Sequence, residues 1–128
     1  MKLLLDTATL LWITTDATKL SSKARTAYID PANEIYLSVA SLWEIIVKNR
    51  LGKLPLPAPI EKLIEPLKTS STFRILPLSE GAVYRLKTLP DHHRDPFDRM
   101  LICQAIEDGL TILTPDSEFS KYPVTVLW

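Results

Sequence analysis

The sequence predicts an α/β fold, a three-layer α/β/α sandwich around a central parallel sheet. Three observations predict it. Short apolar runs of strand length alternate along the chain with longer segments of helical period. Helical segments separate the strands, which calls for parallel pairing with right-handed crossovers. The chain has 128 residues, of which 46% are hydrophobic and 23% charged, the length and composition of one compact fold. A single domain over residues 1–128 is therefore expected.

The elements follow in order. Lys2–Leu5 is a short apolar run that ends at Asp6 and reads as a buried strand. A helix is expected over 7–15, and a second over 21–29, opened by Ser21 or Ser22 as cap. EIYLSV at 34–39 is the second strand, and 41–50 a helix with Gly52 near its stop. The prolines at 55, 57 and 59 mark an extended connection, too short to divide domains. A weaker helix over 60–68 is interrupted at Pro66, and 73–76 is a short strand. Residues 79–89 and 96–108 are helices, the latter stopped by Gly109. A strand over 110–113, a helical turn over 117–121 and a last strand over 124–127 complete the chain.

Composition narrows the function classes. One cysteine, Cys103, excludes an internal disulfide framework and a cysteine-rich zinc site, and fits a reducing, cytoplasmic setting. No apolar run reaches 18–20 residues, so no membrane span is expected, and MKLLLDTATLLW lacks the pattern of a signal peptide. Fifteen basic and fifteen acidic residues cancel, which argues against a non-specific basic coat for nucleic acid but not against an enzyme acting on it. No G-x-S-x-G, G-x-G-x-x-G or Walker loop is present.

The acids carry the chemistry. In parallel sheets ligands gather beyond the carboxyl ends of the strands. Asp6 ends the first strand and Asp116 lies just past the strand at 110–113, so both fall at that edge; each is also placed to cap the helical segment after it. Glu44 sits in LWEIIV, sharing a helical face with Ala40, Val47 and Leu51, where a carboxylate needs a partner or a cation. The alternative for Glu44 is a capping box with Ser41. In RDPFDRMLICQAIEDG, Asp95 reads as an N-cap, Pro96 as the first helical residue, and Asp98 as standing at the head of the apolar stripe Leu101, Ile102, Ala105 and Ile106. Four or five carboxylates converging on one edge repel one another, and a divalent cation relieves that repulsion. Oxygen donors suit magnesium or manganese, which can activate water against a phosphodiester.

Other features have two readings. Lys48, Arg50, Lys53, Arg94 and Arg99 can meet backbone phosphates or serve as ordinary solvated charge, with Arg99 the foremost candidate because it adjoins Asp98. His92 and His93, in PDHHRDP, read as a polar loop lining a groove rather than a zinc site. Trp12 and Trp43 read as core or dimer contacts, and Trp128 as a cover on the core's edge.

The segments LLLDTATLLW at 3–12, SVASLWEIIVKNRLGKL at 38–54, DPFDRMLICQA at 95–105 and LTILTPDSEFSKY at 110–122 together resemble the PIN-domain ribonucleases, specifically VapC-type toxins of toxin–antitoxin pairs. They stand in that family's order and spacing and span nearly the whole chain. The resemblance implies a PIN-like α/β/α sandwich and an endoribonuclease dependent on magnesium or manganese. It implies Asp6, Glu44, Asp98 and Asp116 as catalytic acids and Asp6, Asp98 and Asp116 as metal ligands, with Asp95 either joining the metal shell or only capping its helix. It further implies an RNA substrate, whose phosphates Arg99 and Lys48 are placed to meet on the reading above, a cognate antitoxin and a homodimer. The departures are minor: Cys103 stands where a small residue is common. Two other classes stay open, a non-catalytic interaction module of the same fold and a phosphotransfer domain with Asp6 as nucleophile. The latter is weakened because LDTAT lacks a second aspartate two residues on.

Overall fold

The computed structural model describes residues 1–128. Five strands form one parallel sheet: β1 (Lys2–Leu5), β2 (Glu34–Ser38), β3 (Phe73–Leu76), β4 (Thr111–Leu113) and β5 (Thr125–Leu127), in the order β3-β2-β1-β4-β5. Six α-helices connect them: α1 (Thr7–Thr15), α2 (Ser22–Ile29), α3 (Val39–Arg50), α4 (Ile60–Ile64), α5 (Glu80–Arg85) and α6 (Pro96–Asp108). The three-layer parallel architecture expected from the alternation of periods is the one observed. No helix is long and apolar enough to cross a membrane.

Strand side chains alternate between two cores. Leu4 and Ile112 face a cluster with Leu101, Ile102, Ala105 and Phe119, beneath α5 and α6. Leu3, Leu5 and Leu113 face the opposite cluster with Leu10, Ala24, Ile60 and Ile64, beneath α1, α2 and α4. Helix α3 serves both, through Ala40 on one side and Ile45 on the other. Cys103 is fully buried in the first cluster, where burial raises its thiol pKa and keeps it a packing residue.

Several boundaries differ from expectation, each for a local reason. Helix α3 starts at Val39, because the Ser38 hydroxyl accepts the Ala40 N–H at 3.0 Å and caps it. Ser41 is therefore inside the helix, and the capping box with Glu44 does not form. Helix α5 ends at Arg85; residues 86–88 continue as tight turns with N–H groups bonded three residues back. Pro66 divides the segment after α4, leaving a 3-10 turn at Leu67–Thr69. Gly109 takes a left-handed φ of 65° to end α6.

The chain runs outward from β1 through β2 to β3, then returns to β4 on the other side of β1. This reversal opens a crevice at the carboxyl ends of β1 and β4, the position where parallel sheets bind ligands.

Candidate metal centre

The acids reach the crevice from several elements. Asp6 directly follows β1 and is only 4% exposed. Its Oδ1 accepts the Thr9 N–H at 2.8 Å, capping α1, and its Oδ2 accepts the Thr114 hydroxyl at 2.5 Å. The Thr114 hydroxyl in turn accepts the Asp116 N–H at 3.0 Å, so the loops after β1 and β4 are joined by a relay of two bonds. Asp116 Oδ1 accepts the Glu118 N–H at 2.9 Å, capping a 3-10 turn at Ser117–Lys121. Both aspartates are thus caps and crevice residues at once; the two readings of the sequence are not exclusive.

Glu44 lies on the buried face of α3 with 5% exposure. Its Oε1 accepts the Thr7 hydroxyl at 2.6 Å, and its Oε2 pairs with Lys48 one turn on. Of the neighbours expected on its face, Ala40 is buried but Leu51 is exposed at the helix end. Asp95 caps α6 through Oδ1, which accepts the Phe97 and Asp98 N–H groups at 2.8 and 3.0 Å, while its Oδ2 lies 3.6 Å from the Lys48 ammonium. Asp98, one turn into α6, has no backbone or hydroxyl donor; its nearest partner is His93, whose Nε2 lies 3.1 Å from Oδ2.

Asp6, Glu44, Lys48, Asp98 and Asp116 line one open cleft of about 310 Å³ together with Thr7, Ala8, Leu11, Leu54 and Pro115. Asp98 is its hub. Glu44, Asp95 and Asp98 offer oxygens within 4.8 Å of one another, as do the ligand atoms of His93, Asp98 and Asp116. Burial, then repulsion from Asp95, Glu44, Asp6 and Asp116, pushes the Asp98 carboxyl up to about 8. Burial also raises Asp6, against the hydrogen bonds from Thr114 and Thr9. Burial works to lower the Lys48 ammonium, but Glu44 and Asp95 outweigh it and raise its pKa, so it stays charged as a local counter-ion. One ammonium against five carboxylates leaves an excess of negative charge held by oxygen donors. That donor set fits a hard divalent cation such as magnesium or manganese.

Arg99 departs from expectation. Its guanidinium donates to the carbonyls of Leu89 at 3.2 Å, Pro90 at 2.8 Å and His93 at 3.4 Å, and to the Tyr122 hydroxyl at 3.4 Å. It also pairs with Asp91 at 3.3 Å and touches none of the cleft's carboxylates. The residue adjacent to Asp98 in sequence points elsewhere on the helix, since i and i+1 are about 100° apart. Its Nη1 and Nη2 groups hold the loop at 89–93. Of the two readings for Trp43, the core one does not hold: it is 58% exposed and packs edge-on against Phe97 at 5.1 Å, which leaves the dimer-contact reading open. Trp12 and Trp128 meet at 5.7 Å over the edge of the second core.

His93 is the residue the sequence undervalued. Read as a polar loop residue, it is only 15% exposed in its side chain and stands inside the cluster, 3.3 Å from Asp116 Oδ2 as well as beside Asp98. Its place depends on Tyr122, whose hydroxyl accepts the backbone N–H groups of His92 and His93 at 2.9 and 2.7 Å. The one signal in the sequence was its position two residues before the cap of α6.

No curated protein sequence matches the chain. Solved structures share its fold: VapBC2 of Rickettsia felis bound to promoter DNA (TM-score 0.71, 15% identity, 98% of this chain and 97% of that one). DNA-bound VapBC of Salmonella typhimurium (TM-score 0.65, 20% identity, 98% and 96%) and FitAcB of Neisseria gonorrhoeae (TM-score 0.61, 22% identity, 97% and 95%) share it too. The sequence profile of the PIN domain matches residues 3–124, nearly the whole chain, and the chain belongs to the PIN domain family.

Proposed function

We propose that the protein is a magnesium- or manganese-dependent endoribonuclease acting as the VapC-type toxin of a toxin–antitoxin pair. The observation that carries this reading is the convergence of Asp6, Glu44, Asp98 and Asp116 in one cleft, where burial and the neighbouring carboxylates push Asp98 up to about 8. The kinship with VapBC complexes supports the toxin assignment and a small antitoxin protein as partner.

A bound ion would stabilise charge developing on a phosphodiester and activate water for attack on phosphorus. The chain's own residues supply the rest. Asp6, Asp98 and Asp116 would hold the ion. Asp95, committed through Oδ1 to the helix cap, would contribute through Oδ2 alone. Glu44, fixed by Thr7, would orient the attacking water or join the coordination. Lys48, the cation nearest the carboxylates and 38% exposed in its side chain, meets the phosphate of the RNA.

For the homodimer, a second copy of the chain would cover the apolar groove lined by Trp43, Leu78, Val83, Leu86, Phe97 and Met100. Trp43, Leu78 and Val83 are each more than a third exposed there, an arrangement that water tolerates poorly. Val83→Glu should convert the dimer to monomer in sedimentation equilibrium; an unchanged mass would place the second copy elsewhere.

The toxin reading is tested in cells. Induced expression should arrest bacterial growth and leave new RNA 5′ ends, and Asp6→Asn or Asp98→Asn should accumulate as folded protein without arrest. A harmless wild-type chain, or folded variants as toxic as it, would remove the assignment and favour an interaction module.

A further inference from the structure

We infer that His93 is a positioning residue of the metal centre and not a ligand in it: its imidazole carries its hydrogen on Nε2 and ties the Oδ2 atoms of Asp98 and Asp116 together. The inference rests on the metal-site reading above. One contact fixes the tautomer. Nδ1 lies 3.2 Å from the Asp95 backbone N–H, which can only donate, so Nδ1 accepts. The ring hydrogen is then on Nε2, which lies 3.1 Å from Asp98 Oδ2 and 3.3 Å from Asp116 Oδ2 and can donate to either.

The ring is held from several sides. The Tyr122 hydroxyl accepts the His93 N–H at 2.7 Å, the Arg99 guanidinium donates to the His93 carbonyl at 3.4 Å, and the Phe119 ring meets the imidazole at 5.7 Å between centroids. His93 thereby joins the cap of α6, the first turn of α6 and the loop after β4, the segments that carry Asp95, Asp98 and Asp116. Ligation through Nε2 would force the hydrogen onto Nδ1, pointing at the Asp95 N–H, and the first turn of α6 would have to open. The imidazole therefore orients carboxylates from outside, the arrangement that elsewhere tunes metal affinity about 10–100-fold.

The test is titration of manganese into the whole chain, followed by calorimetry and by pulsed EPR of the bound ion. His93→Ala removes the donor; His93→Gln returns an amide N–H near the place of Nε2. Wild type should bind without the nitrogen coupling of a directly bound imidazole, His93→Ala should bind about 10–100-fold more weakly, and His93→Gln should recover most of that loss. Strong coupling from a coordinated imidazole nitrogen overturns the inference, as does unchanged affinity in His93→Ala, or a His93→Gln as weak as the alanine variant. A wild type that binds no manganese overturns the metal-site reading itself, an outcome distinct from failure of the histidine's role alone.

Discussion

At pH 8, metal-free Asp98→Asn is expected to be more stable than the unsubstituted chain, by roughly 3–5 kcal/mol, while losing metal-dependent cleavage. Both effects have one cause. Asp98 is pushed from an ordinary 3.8 to about 8 by burial first, then by Asp95, Glu44, Asp6 and Asp116. The folded chain therefore holds this proton more tightly than the unfolded one. The stability gained is fully present below about 3.8 and is lost as pH rises through about 8. Asparagine keeps the shape and stays neutral throughout. Urea melts of the metal-free proteins between pH 4 and 8 should show the wild type weakening with pH, the variant lacking that contribution, and the two converging near pH 4. Saturating manganese should restore the wild type at pH 8 and leave the variant unmoved. The activity lost should be about a thousandfold, the equivalent of several kcal/mol of charge stabilisation at the phosphorus. Parallel pH curves for the two proteins would contradict the crowding of charge on which the site reading depends.

Phe119→Ala should give the largest loss of stability, about 3–5 kcal/mol. Phe119 is fully buried in the core beneath α6, in the turn that follows Asp116. Removing its ring deletes core contacts that neighbouring side chains cannot rebuild without moving the sheet. For a chain of this length the melting temperature should fall by roughly 10–20 °C. The ring also backs His93 at 5.7 Å, so manganese affinity should fall as well, even at temperatures where the variant is folded. Phe119→Leu, which keeps most of the volume, should cost much less in both respects. A phenylalanine-to-alanine change that left affinity for manganese intact would confine Phe119 to the core.

The residues differ in how much of this they reveal in sequence. The five strands and the helices between them are legible because burial on both sides of a parallel sheet demands apolar runs, and helices demand their own period. The aspartates are legible because a strand end and a helix cap are local facts: Asp6 follows LLL, and Asp95 precedes a proline at the first helical position. Glu44 was legible as a buried carboxylate but not in its partner. Thr7 lies 37 residues away, and only the packing of α1 against α3 brings its hydroxyl within 2.6 Å. Arg99 and His93 sit differently from what their local sequence implies, for a related reason. Adjacency to Asp98 suggested that Arg99 faces the cleft, whereas one step along a helix turns it toward the 89–93 loop. His93 reaches the cleft only because Arg99 and Tyr122 fold that loop back, contacts with no local signature. Trp43 shows the limit of apolar runs as evidence of burial: in LWEIIV the glutamate is buried and the tryptophan is exposed.

The most direct test is cleavage of a mixed pool of structured RNAs by purified, antitoxin-free protein, run with manganese, with EDTA, and with Asp98→Asn as the control for contaminating nuclease. The account predicts discrete cleavage with manganese that disappears in both controls. Cleavage that survives EDTA, or that Asp98→Asn retains in full while folded, would contradict it.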